Sequence, residues 1–233
     1  MTTNIALVKT DAAVSMLQGI ERPSQMNAWL GDAEQFQQDQ EVRGAVLRAH
    51  TALRDGGEKI KLLTLDETRS EPERHYVGGQ VSERTVGTLD NTQKVLLRNA
   101  AVHHDAAMEA LKERFAMRSD DKWLYDRWVG YVEREGSNSD GGYSNIRESM
   151  LANRDLAVVL HKVPYQLLGL PVEQVVKWQA KAVERWEPEV QKAFQYAEEL
   201  RDLAGRYPMV IGMVKLNFHS PVHASKMKTR VSL

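Results

Sequence analysis

Between Leu89 and Arg118 the side chains of Leu97, Ala101, His104, Met108, Leu111 and Phe115 return at alternating steps of four and three. That spacing lines up one face of an α-helix and does not match the two-residue alternation of a half-buried strand. A helix over this stretch reaches about 40 Å at about 1.5 Å per residue. An element so long must be buried against others of its kind, so the fold class that follows is mainly α: an antiparallel assembly of several helices.

The same periodicity organises most of the remaining chain. Residues 10–20 form a first short helix, capped by Thr10 or Asp11, with Ala13, Met16, Leu17 and Ile20 on one side, and Pro23 interrupts it. Residues 32–55 place Phe36, Val42, Val46, Ala49 and Leu53 on a second stripe, and Gly56-Gly57 reads as its stop. Helices are also expected over 120–135, 145–163, 171–186 and 188–204, although LAVVLHKV at 156–163 also suits a buried strand. The last two helices share a seam through Val183, Trp186, Val190, Ala193, Ala197, Leu200 and Ala204, so they can equally be one long kinked helix. Gly205 then reads as a C-cap, and Pro208 as a barrier to continuation.

Two stretches break the helical pattern. Residues 66–74, DETRSEPER, offer little to bury and read as an exposed loop. HYVGGQVSERTV surrounds Gly78-Gly79 with β-branched and aromatic residues, which predicts a small β-hairpin over about 75–86. The run EGSNSDGGYSN, residues 135–145, is rich in turn-formers and supplies the boundary between an N-terminal region, 1–135, and a helical region, 145–205. Residues 206–233 follow as an extended basic arm.

Charge singles out that arm. The whole chain carries 31 basic and 32 acidic residues, a net of −1. Arg206, Lys215, Lys226, Lys228 and Arg230 face no acidic residue after Gly205, which leaves the first 204 residues with 26 basic against 32 acidic, or −6. Arm and body therefore attract one another, or the arm attracts a polyanion. There is no cysteine, which removes disulfides, thiolate nucleophiles and cysteine-based zinc or iron–sulfur sites. No apolar run approaches a membrane span, and the opening MTTNIALVKTD lacks a signal-peptide layout. An intracellular, soluble (cytoplasmic) protein, or one built into an assembled particle, is expected, with no membrane partner.

Catalytic templates are missing: phosphate-binding loops, HExxH, GxSxG and EF-hand loops do not occur. His103-His104-Asp105 could contribute to a metal hydrolase with His75 and Asp126. Successive helical residues diverge by about 100°, however, which suits the metal poorly, and His104 lies on the core stripe. No catalytic, cofactor or metal residues are therefore assigned. Of the five tryptophans, Trp178 projects away from the stripe set by Val175-Val176 and Ala182-Val183, which marks it as a contact residue if exposed. The chain reads as a non-enzymatic structural subunit of a homo- or hetero-oligomer, in a cellular complex or a virus or phage particle. Its contacts are helical faces, Trp178 and the arm cations Arg206, Lys215, Lys226, Lys228 and Arg230. A nucleic-acid-binding accessory protein that neutralises phosphates through the same arm is the alternative.

Overall fold

The computed structural model describes residues 5–138 and 140–229, and the side chains of all of these except 228 and 229. Among the described residues there are ten α-helices, two short 3-10 turns and no strand. The helices are α1 (Asp11–Ile20), α2 (Pro23–Leu30), α3 (Gln40–Leu65), α4 (Glu71–Arg114) and α5 (Lys122–Gly136). They continue with α6 (Gly142–Ala152), α7 (Arg154–Lys162), α8 (Val172–Trp186), α9 (Pro188–Asn217) and α10 (Pro221–Thr229).

Local chemistry explains several starts. The Thr10 hydroxyl accepts the Ala13 N–H of α1 at 3.2 Å, and the Asp39 carboxylate accepts the Val42 N–H of α3 at 3.0 Å. At α4 the Glu73 carboxylate accepts both the N–H and the hydroxyl of Ser70 at 2.8 Å, half of a capping box, with Pro72 in the first turn. Asn153, in extended conformation, separates α6 from α7, so 145–163 is two helices and LAVVLHKV belongs to the second. Glu187 likewise ends α8 before Pro188 opens α9.

The predicted hairpin over 75–86 is absent, and the reason lies in its glycines. Gly78 and Gly79 sit inside α4, where a Cβ on Gly78 would lie 3.2 Å from the Phe218 carbonyl oxygen and one on Gly79 would lie 3.3 Å from the His219 ring. The pair is small because another segment crosses it, not because the chain turns there. Gly56-Gly57 is no stop either: both are buried in α3, and a Cβ on Gly56 would meet the Thr85 hydroxyl at 2.6 Å and Phe218 at 2.9 Å. Each such glycine costs about 1 kcal/mol of helix propensity, offset by the close approach it permits.

Over its described residues, 206–229, the arm is not extended. Residues 206–217 complete α9 and residues 221–229 form α10, with Pro208 in the interior of α9. A proline inside a helix leaves the carbonyl four residues earlier without its N–H partner. Here that carbonyl belongs to buried Ala204, and the side-chain amide of Gln93, on α4, donates to it at 3.2 Å. Gln93 thus replaces the hydrogen bond that Pro208 cannot make.

The chain divides into two compact units. The first combines Met1–Ala100 with Glu198–Leu233, and the second is Ala101–Ala197. In the first, the α3 residues Val42, Val46, Ala49, Leu53 and Ile60 are buried, as are Leu200, Ala204, Tyr207, Val210 and Val214 of α9. Buried Tyr207 donates its hydroxyl to the Leu30 carbonyl at 3.0 Å, and the Thr92 hydroxyl donates to the Ala45 carbonyl at 3.2 Å. The core of the second unit gathers Phe115, Tyr125, Val132, Ile146, Met150, Leu156, Val159, Leu168, Trp178 and Val183.

Candidate functional site

The sequence-selected residues separate rather than converge. Trp178 is only 1% exposed and meets the Tyr143 ring edge-on at 5.6 Å, so it is a core residue of the second unit and not an exposed contact. Arg206 and Lys215 are exposed on α9, and Lys226 is exposed on α10. Lys228 lies in α10 with its side chain outside the described set, and Arg230 lies outside the described residues. His103 meets the Tyr196 ring and His104 the Phe194 ring, at 4.9 and 5.5 Å, while His104 Nδ1 lies 3.4 Å from the exposed Asp105 carboxylate. Neither belongs to a group of three potential metal donors among the described residues.

Two features of the first unit stand out. The first is a groove of about 310 Å³ where the end of α3 meets the start of α4. Leu62, Leu63, Val77 and Val81 give it an apolar lining, and Lys59, Arg69 and Arg84 stand around them with Asp66 the one carboxylate. Arg69 pairs with Asp66 at 3.5 Å, so the remaining charge of the rim is positive. Leu62 is 68% exposed, and Leu65, three residues further along the same helix, is 70% exposed. Two leucines on one helical face left in water cost hydrophobic free energy that only a covering surface recovers.

The second feature is a cluster of imidazoles on the other side of α4's N-terminal region. Glu71 and His75 lie four residues apart on α4 and so share a face, and His223 of α10 comes up to them. His75 is 3% exposed, its ring centroid lies 4.9 Å from that of His223, and His223 Nδ1 lies 3.4 Å from the Glu71 carboxylate. His75 Nδ1 accepts the Ser220 N–H at 3.1 Å. His219 packs on Gly79, with its Nδ1 buried and without a hydrogen-bond partner.

Glu71, His75 and His223 come nearest to metal-ligand spacing, their donor atoms all lying within 4.8 Å of one another. A tetrahedral zinc with bonds of about 2.0–2.1 Å needs its donors about 3.4 Å apart, a spacing that His223 Nδ1 and Glu71 meet at 3.4 Å. The tautomer is what disagrees: with Nδ1 accepting from Ser220, neutral His75 keeps its proton on Nε2 and has no second lone pair to give. The residues present do not fit a metal, and the cluster is organised around protons instead. Burial first, and the neighbouring His223 charge second, hold the His75 pKa below the usual histidine value despite the opposing pull of Glu71. Burial also lowers His219, opposed by Glu83.

Sequence reasoning missed this cluster because it read 66–74 as loop and 75–86 as hairpin, which hid the helical spacing of Glu71 and His75. The available signal was Ser70-x-x-Glu73 with Pro72 between, a helix start. Comparison with protein-family models, with curated proteins and with solved structures finds no match for this chain. No described helix is long and apolar enough to cross a membrane.

Proposed function

We propose that this chain is a non-enzymatic subunit of a larger assembly, and that its first unit receives an acidic helical segment of another subunit. The observation that carries the reading is the pair of exposed leucines, Leu62 and Leu65, beside an apolar groove whose net rim charge is positive. The apolar floor supplies the area that association requires, and Lys59 and Arg84, which have no ion-pair partner among the described residues, select a partner face of negative sign. A second copy qualifies, since the first 204 residues carry a net −6. Met209 and Leu216 on α9 and Val222 on α10 are further exposed apolar side chains of the same unit.

Absolute mass by light scattering at moderate salt tests the reading, with the 260 to 280 nm absorbance ratio recorded alongside. A discrete oligomer free of nucleic acid is expected, and Leu62→Asp should reduce it to smaller species without changing the helical circular dichroism. Removing residues 219–233 should also weaken association while the rest of the chain stays folded. A monomer of 26.4 kDa insensitive to both changes removes the proposal. A monomer carrying nucleic acid that salt strips away replaces it with phosphate binding through the C-terminal cations.

A further inference from the structure

The geometry points to a proton-controlled latch: neutral His75 holds the residue that opens α10 against α4, and protonation of the ring releases that helix. It stands on the imidazole cluster alone and does not depend on the assembly reading.

Ser220 is the hinge point. Its carbonyl accepts the Ala224 N–H at 3.0 Å, the first hydrogen bond of α10, while its own N–H donates to His75 Nδ1 at 3.1 Å. Pro221, the next residue, has no N–H of its own to add to the bond that Ser220 makes to α4. An imidazole can accept at Nδ1 only while that nitrogen is unprotonated. In the imidazolium both ring nitrogens donate, and the Ser220 N–H then faces another N–H. Because His75 is buried, the charged ring regains water only if the segment above it moves away.

The groups around the ring give the charge little support. On α4 they are Glu71 and Arg74, on the link between α9 and α10 His219, and on α10 His223. The adjoining cleft adds Lys9 from the N-terminal segment and Thr64 of α3, and Arg74 is drawn to the Thr64 carbonyl at 3.1 Å. Glu71 is the one anion, and it is half exposed and shared with His223. His219 adds a second buried ring with an unpartnered Nδ1, and it rests on Gly79 over a cleft of about 420 Å³ that Glu83, Pro221 and Ser225 also line.

The sign follows from these environments. Docking keeps His75 and His219 neutral, whereas the released rings titrate near their ordinary value of about 6.5. The released state therefore binds more protons, so docking is strongest above that value and weakens progressively as pH falls below it. Each proton taken up shifts the equilibrium by as much as tenfold per pH unit, so the two rings together give up to about a hundredfold per unit.

Hydrogen exchange of the full chain between pH 7.5 and 5.5, corrected for intrinsic exchange, tests the latch. Residues 218–229 should lose protection below about pH 6.5, by up to about a hundredfold per unit, while α3 and the first half of α9 keep theirs. His75→Asn places a non-titrating oxygen where Nδ1 stood, so it should reduce the slope, and adding His219→Asn should abolish it. Protection of α10 that ignores pH, that is absent throughout, or that keeps its slope in the double variant overturns the latch. Should His75→Asn also strip protection from α3, nitrogen chemical shifts of His75 in the unaltered protein decide. An Nε2–H tautomer at pH 7.5 is expected, and an Nδ1–H tautomer refutes the mechanism.

Discussion

Replacing Gln93 with Met should destabilise the first unit, and the loss should depend on Pro208, more than a hundred residues away in sequence. Met keeps the length of the side chain and removes the donor, so packing changes little. What is lost is the 3.2 Å hydrogen bond to the carbonyl of fully buried Ala204, which Pro208 leaves without a helical partner. An unsatisfied buried carbonyl costs about 1–3 kcal/mol; because Gln93 is only half-buried, the lower part of that range, about 1–2 kcal/mol, applies. For a chain of this size that is a fall in Tm of about 2–4 °C for each kcal/mol. Pro208→Ala restores an N–H to position 208 and gives Ala204 an ordinary helical partner, so Gln93→Met should then cost less than about 0.5 kcal/mol. Urea unfolding of the four proteins closes the cycle. If the units unfold separately, it is read on the transition followed by Trp29, because the other four tryptophans lie within 101–197. Additive effects, within about 0.3–0.5 kcal/mol, would refute the idea that Gln93 stands in for the missing bond.

Further outcomes follow from the two cores. His161 stacks on Phe115 at 4.2 Å, and burial pushes its pKa down from 6.5 to about 4. The unfolded chain thus binds the extra proton between those values, and the second unit should lose about 2–3 kcal/mol as pH falls from 7 to 4; His161→Leu should flatten that dependence in urea titrations at the two pH values. Gly56→Ala should destabilise the first unit by about 1–3 kcal/mol, since its methyl would meet Thr85 and Phe218, and an unchanged midpoint would show that the neighbours yield freely. Tyr207→Phe, which strands the Leu30 carbonyl, should cost about 1–2 kcal/mol in the same assay.

What could be read from the sequence was periodic and local. The stripe of residues 10–20 became α1, and Pro188 opened α9 as a first-turn proline should. The helix expected beyond Leu89 became the later part of α4, but its buried face runs through Leu89, Leu96, Ala100 and Ala107, one residue off the expected stripe, and Leu97, Ala101 and Met108 are exposed. What escaped was set by residues distant in sequence. A glycine pair has one spelling whether it bends the chain or thins a helix for a neighbour, and only Phe218 and His219, crossing from the other end of the chain, show that Gly78-Gly79 does the latter. Pro208 looked like a terminator because its remedy, Gln93, sits on another helix. Trp178 was placed off the stripe by counting along one helix, yet the second unit buries α8 on a broader face that reaches Tyr143. The candidate groove and the imidazole cluster both lie beside the start of α4, which the sequence gives away only through its cap.

The division of the chain has a consequence for its biosynthesis. The first unit is assembled from both ends, with Ala101–Ala197 set between them. A ribosome therefore finishes the second unit while the first still lacks the α9 residues that bury Leu30 and accept from Gln93. At about 5–20 residues per second, the leading hundred residues wait roughly 5–20 s with that apolar surface uncovered. Any helper that shields nascent chains has its time of action fixed by this order of synthesis, and a circularly permuted gene beginning at residue 198 would remove the wait.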